Sequence, residues 1–251
     1  MDWVAVKKDM LSRLLYPNPV CLLSSRSSDG RTRSLMTITW LTAVTNQGNF
    51  ICSIKSSRYT AKFLSQSGAI FGLPPLKLPN YIDLQLISLV LNVPIQGMED
   101  LILAIGSTSG GDVDKFDHFD VATCAPGGGE LKKVGTVLDK TEGQMKKHKI
   151  SKKESAMQEV ASAAARSIAL RDCVAHVLCR VNALTEEHGH LLLRCTQLAG
   201  WTRRTYWDGR NFIPQVGTDA KPYLTFLGSR TFAYVLPSGS ANLPPTGPAD
   251  V

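Results

Sequence analysis

Long apolar runs are missing from this 251-residue chain. None approaches the roughly 20 residues that span a bilayer, which argues against a helical membrane protein. The first residues carry Asp2, Lys7, Lys8 and Asp9 in place of the apolar core of a signal peptide, so a soluble, cytoplasmic protein is expected. Cysteine is sparse. Six thiols (Cys21, Cys52, Cys124, Cys173, Cys179 and Cys195) are scattered through apolar surroundings without the density of a secreted disulfide scaffold, and they read as buried thiols. The spacing Cys173-x-x-His176-x-x-Cys179 would gather three metal ligands on a helix. Val174, Val177, Leu178 and Val181 favour a strand instead, on which His176 points away from both cysteines, so no metal site is expected.

Nucleotide signatures are absent too. Gly106-Ser-Thr-Ser-Gly-Gly111 is not followed by the Lys-Ser/Thr of a Walker loop, and no Gly-x-Gly-x-x-Gly opens a βαβ unit. No internal repeat is present. The net charge of +7 could suggest nucleic acid. The excess is local, however: residues 130–153 hold eight lysines against Glu130, Asp139 and Glu142, and without them the chain carries +2. A basic loop on a nearly neutral body reads as a solvated insertion, so nucleic acid is not the expected partner. A basic nucleic-acid or partner-binding barrel without cofactor is the alternative this leaves open.

The chain does have ordinary globular composition, 43% hydrophobic and 20% charged, enough for one sizeable core. Residues 3–15 carry a helix-like stripe (Trp3, Val4, Met10, Leu11, Leu14, Leu15) ended by Pro17 and Pro19. Then the period changes. Val20–Ser25, Leu35–Thr42 and Phe50–Ile54 read as strands of an antiparallel sheet, with Asp29-Gly30 as the first turn. A helix is expected over 58–67, stopped by Gly68, and another over the alanine-rich 154–169. Two further strands follow at 173–183 and 189–198. The Pro-, Gly- and Ala-rich end, 236–251, reads as a disordered tail.

One segment stands out chemically. Ser53-Ile-Lys-Ser-Ser-Arg-Tyr-Thr60 runs from a strand into hydroxyls and cations at the start of an amphipathic helix. Hydroxyl donors, free backbone N–H groups and a guanidinium meet there, an arrangement that favours an anion such as phosphate. A simple helix cap by Ser56 or Ser57 is the alternative.

Its companions are Arg33-Ser-Leu-Met-Thr-Ile-Thr-Trp40, Leu91-Asn-Val-Pro94, Gly106-Ser-Thr-Ser-Gly-Gly-Asp-Val-Asp-Lys-Phe116, Cys173–Val181 and Gly189-His-Leu-Leu192. In this order the segments resemble the flavin reductase-like, FMN-binding split-barrel family over most of residues 14–235. The resemblance implies a mainly β fold, a split barrel with peripheral helices, as one domain over 1–235. Relative to that pattern, residues 69–87 and 127–153 are two insertions. The family's Asn-Val-Pro strand falls on Leu89–Pro94 rather than on Ile70–Pro74, because only the former supplies the asparagine.

The same resemblance implies bound FMN. Met36, Thr37, Ile38 and Thr39 would run beside the flavin ring, where donors facing its polar edge stabilise the reduced anion. Ser53, Ser57, Arg58 and Thr60 would take the phosphate. Asn92 would come with its strand, and Ser107, Ser109, Gly110 and Lys115 would approach the ribityl or phosphate oxygens. His190 would position a nicotinamide or second flavin, although His188-Gly189 replaces the usual Gly-Asp before it. For Thr37 and Thr39, plain strand alternation is the simpler reading. His190 can equally be a surface residue, and Trp40 reads as core or dimer packing. Arg203 or Arg204 would complete the site of a partner subunit. The implied protein is a homodimeric NADH- or NADPH-dependent flavin reductase, with a flavin-dependent acceptor protein as a further partner. An FMN-binding electron carrier or store is the alternative.

Overall fold

The computed structural model describes residues 15, 17–27, 31–66, 88–131 and 152–237. The expected N-terminal helix up to residue 14, the Asp29-Gly30 turn, the stop at Gly68, the segment 69–87, most of the lysine-rich stretch and residues 238–251 lie outside them. The strands are β1 (Asn18–Pro19), β2 (Cys21–Arg26), β3 (Arg33–Ile38), β4 (Leu41–Ala43) and β5 (Asn49–Lys55). Then come α1 (Tyr59–Gln66), β6 (Ser88–Val93), α2 (Glu99–Ser107), α3 (Lys115–His118) and β7 (Thr123–Cys124). The chain closes with α4 (Lys152–Arg166), β8 (Ala169–Leu170), β9 (Ala175–Glu187), β10 (His190–Thr202), β11 (Tyr223–Gly228) and β12 (Thr231–Val235).

Seven strands form one antiparallel sheet in the order β3-β2-β6-β9-β10-β5-β4. Its two edge strands are consecutive in sequence, separated only by Thr39 and Trp40. Six strand spacings of about 4.8 Å would put the edges of a flat sheet some 29 Å apart, whereas three residue steps reach only about 10 Å. The sheet must therefore curl until its edges meet. The Trp40 carbonyl begins the pairing with β5, accepting from the Ser53 N–H at 2.9 Å. This corrects the expectation of one strand over Leu35–Thr42: the run breaks at Thr39-Trp40 because the chain crosses there from one edge to the other.

Strand alternation sorts the side chains. Along β5, Phe50, Cys52 and Ile54 are buried, while Ile51, Ser53 and Lys55 face outward. The inner face gathers Leu23, Cys52, Ile54, Leu191 and Leu193 against Phe63 and Leu64 of α1. The other face of β2 packs Val20 and Leu22 against Ile102 and Ile105 of α2, with Phe116 and Leu170. All six cysteines are buried free thiols. Asn92 is fully buried; its amide donates to the Leu22 carbonyl (2.7 Å) and Ser24 Oγ (2.9 Å) and accepts from the Leu170 N–H (2.9 Å), tying β6 to β2 and β8. The strand choice Leu89–Pro94 is thus realised as β6. The expected helix 154–169 ends earlier, at Arg166, because Ala169–Leu170 leave it to pair with β7. No helix among the described residues is long and apolar enough to cross a membrane.

Candidate anion cleft

Helix α2 lies against β3, fixed by the Thr37 hydroxyl donating to the Ile102 carbonyl at 2.6 Å. Its last turn points at the start of α1. Two cations meet the exposed carbonyls there: Arg58 donates to Gly106 O (3.0 Å) and Lys115 Nζ to Ile105 O (2.7 Å). From the sequence Ser107–Gly110 read as a small polar loop; Gly106 and Ser107 instead close α2, and the loop is 108–114. That loop is held in place by α3. Asp114 caps α3 by accepting from the Phe116 N–H (2.9 Å), and Arg33 bonds Asp114 (2.6 Å) and Asp117 (2.5 Å) while covering the Phe116 ring at 4.7 Å. Gly110 lets the loop lie on Tyr59: a Cβ there would stand 2.8 Å from the ring.

Between these elements opens a cleft of about 340 Å³. It is lined by Met36 and Thr37 of β3, Lys55 of β5, Ser57–Thr60 at the entry to α1, Ile105–Gly110, and Lys115. No acid lines it. Three cations do, and Lys115 is only 6% exposed. Burial first, and the neighbouring Arg58 second, lower its pKa from 10.5 to about 8. A buried ammonium beside a guanidinium with no carboxylate to balance them is costly, so the cleft favours an anion. The first turn of α1 adds N–H groups without helical partners.

Of the residues expected from sequence, Met36, Thr37, Ser57, Arg58, Thr60, Ser107, Ser109, Gly110 and Lys115 come together here. Their hydroxyls differ in availability. Thr60 pairs with Ser34 (2.9 Å), Ser107 donates to Ala104 O (3.1 Å) and Ser109 accepts from the Gly111 N–H (3.1 Å). Ser57 Oγ has no such bond among the described residues and is open to a ligand. Ile38 is turned into the core and Asn92 into its three internal bonds. Thr39 sits at the seam outside the cleft lining, and Ser53 lines a separate groove with Trp40, Leu41, Ile51 and Leu192. His190 lies at the mouth of that groove, its ring stacked on Trp40 with centroids 5.4 Å apart. Trp40 is 44% exposed, which corrects its reading as a core residue. Arg203 bonds the Arg171 carbonyl at 2.9 Å. Lys55, Tyr59 and Thr108 complete the lining. Lys55 was legible as the next outward position of β5 after Ser53.

A seven-stranded antiparallel sheet curled until its edge strands meet, with few helices around it, defines a split barrel. The flavin reductase like domain model matches residues 11–138, about half of the chain, and the chain belongs to that family. No curated protein matches by sequence. Solved structures share the fold. An FMN-binding protein from Thermus thermophilus superposes with a TM-score of 0.60 at 14% identity, covering 96% of this chain and 99% of its own. Flavoredoxin from Methanosarcina acetivorans gives 0.57 at 16% identity over 98% and 97%. The NADH:FAD oxidoreductase SgcE6 of Streptomyces globisporus gives 0.54 at 14% over 94% and 99%.

Proposed function

We propose that the chain is a flavin reductase that holds FMN with its phosphate in the cleft and takes electrons from NADH or NADPH. The observation that carries this is the pair Arg58–Lys115, two adjacent cations, one of them buried, in a cleft that no acid among the described residues lines. A phosphate there neutralises both, and the glycine loop on Tyr59 leaves room for it. The neighbours named for FMN or for NADH:FAD oxidoreduction support the reading by fold. When bound, the flavin supplies the chemistry, accepting a hydride from the reduced nicotinamide and passing it on.

The chain's own residues position and neutralise. Ser57, Arg58 and Lys115 bind the phosphate, with the N–H groups that open α1. Met36, Thr37 and Thr39, on and just beyond β3, border the ring. His190, on the rim, orients the donor and does not reach the phosphate. We place all of this in one domain over 1–235, working as a cytoplasmic homodimer that hands electrons to a flavin-dependent acceptor; six buried thiols suit a reducing compartment.

Reconstitution tests the reading. Purified protein should take up FMN with the near-ultraviolet and blue bands of an oxidised flavin, and anaerobic NADH or NADPH should bleach the long-wavelength band. His190→Ala should slow bleaching more than it weakens FMN. Flavin that resists both nucleotides but yields to dithionite would make the protein a carrier. No flavin uptake at all would end the reading.

A further inference from the structure

Arg33 of β3 is not part of the cleft lining, yet its contacts surround one residue that is. Nε donates to Asp114 Oδ2 (2.6 Å), Nη2 donates to Asp117 Oδ1 (2.5 Å), and the guanidinium covers the Phe116 ring at 4.7 Å. The partners are residues 114, 116 and 117. The residue they leave out is Lys115, whose ammonium lies in the cleft on the Ile105 carbonyl.

Helix α3 has four residues, and a single helical turn is unfavourable on its own, so its course must be set from outside. Phe116 supplies depth, buried in one cluster with Ile102 and Ile105 of α2. Arg33 supplies direction. Its planar fork holds the residue before Lys115 with one arm and the residue two further on with the other, which resists rotation of the turn about its own axis. Asp114 also caps the turn through the Phe116 N–H, so the same carboxylate joins the clamp to the helix start. Both acids that flank Lys115 in the chain are engaged in this way. Lys115 itself bonds only a neutral carbonyl and keeps two donors for a ligand.

We propose that Arg33 is a positioning residue for Lys115 and, through it, a determinant of selectivity for flavins that end in a phosphate. The inference rests on the reading of the cleft as a flavin phosphate site. Arg33 makes no contact with the ligand; it fixes α3 so that the ammonium meets the anion already in place, and binding is spared the ordering of that turn. Riboflavin, which has no phosphate, gains nothing from it.

A double-mutant cycle on the full-length protein tests this, read by calorimetric titration as the ratio of FMN to riboflavin affinity. Arg33→Gln should lower the ratio about tenfold, the scale of one hydrogen bond to a charged group. In the Lys115→Met background the same substitution should leave the ratio unchanged. Arg33→Lys keeps the charge but not the planar fork, so it should restore part of the ratio, and it carries the same cycle if Arg33→Gln does not fold. An Arg33 that only braces the fold would weaken both flavins alike, or would lower the ratio equally with and without Lys115. Either result overturns the proposal, as does a ratio that neither Arg33 variant moves. Wild-type protein that binds FMN no better than riboflavin overturns the phosphate cleft itself, and this inference with it.

Discussion

Two buried titratable side chains, one on the sheet and one on a helix beside it, show what separates a ligand site from architecture. His176, on β9, is 6% exposed and satisfied at both ring nitrogens. Nδ1 accepts from the Gly127 N–H (3.1 Å), so the proton sits on Nε2, which donates to Leu170 O (2.8 Å). Burial lowers its pKa, in keeping with a neutral ring. Lys115 is equally buried but uses one of three donors, keeps its charge near neutral pH, and has Arg58 as neighbour. One residue closes its surroundings; the other leaves a charge for something else to balance.

The largest effect expected is on folding. His176→Ala leaves the Gly127 N–H without its partner, at about 1 to 3 kcal/mol, and removes the shorter of two bonds to the Leu170 carbonyl, which keeps the Cys173 N–H at 3.3 Å. Denaturant unfolding should show that loss while FMN affinity per folded molecule stays unchanged. A variant as stable as the wild type would erase the contrast. The pH dependence has a definite sign: a histidine whose folded pKa is depressed contributes stability above its unfolded value near 6.5, and loses it as pH falls below that.

Next in size is the phosphate contact. Arg58→Ala should weaken FMN by about 1.5 to 3 kcal/mol, the value of a hydrogen bond to a charged group, and should hardly change riboflavin. Equal losses for both flavins would make Arg58 a cap of α2 and nothing more. Lys115 sharpens the same point through pH. Its free pKa near 8 must rise when a phosphate dianion binds beside it, so FMN affinity should be level below about pH 8 and fall about tenfold per unit above it. Lys115→Arg should hold the affinity level to higher pH. A flat wild-type profile from pH 7 to 9.5 would mean that no anion rests on Lys115.

The barrel was legible in the sequence because its strands announce themselves by alternation, as β2 and β5 do, and because Leu91-Asn-Val-Pro94 carries an asparagine with an internal task. The break at Thr39-Trp40 was not, since Leu35–Thr42 is a run of apolar residues and threonines without glycine, proline or another turn residue, and only closure of the sheet splits it. Helix α2 was missed because Gly106 and the serines after it read as loop. For the cleft, residue types pointed to the right neighbourhood, yet type cannot tell a free hydroxyl from a spent one. Thr60 and Ser57 look alike in sequence; only the packing of β3 against α1 gives Thr60 to Ser34.

That pair supplies the smallest and most discriminating test. Ser57 is exposed in the cleft with its hydroxyl open, whereas Thr60 is 3% exposed and bonded to Ser34 at 2.9 Å. If availability decides function, Ser57→Ala should cost FMN affinity about 0.5 to 1.5 kcal/mol, a single hydrogen bond, and leave unfolding unchanged. Thr60→Val should do the reverse, because it keeps the shape of the side chain but strands the Ser34 hydroxyl in the interior, a stability loss of about 1 to 3 kcal/mol with little change in FMN binding. Titration and denaturant unfolding of both variants read the two effects separately. If Thr60→Val instead loses FMN and keeps its stability, the Ser34–Thr60 bond gives way to the ligand, and the cleft rearranges on binding.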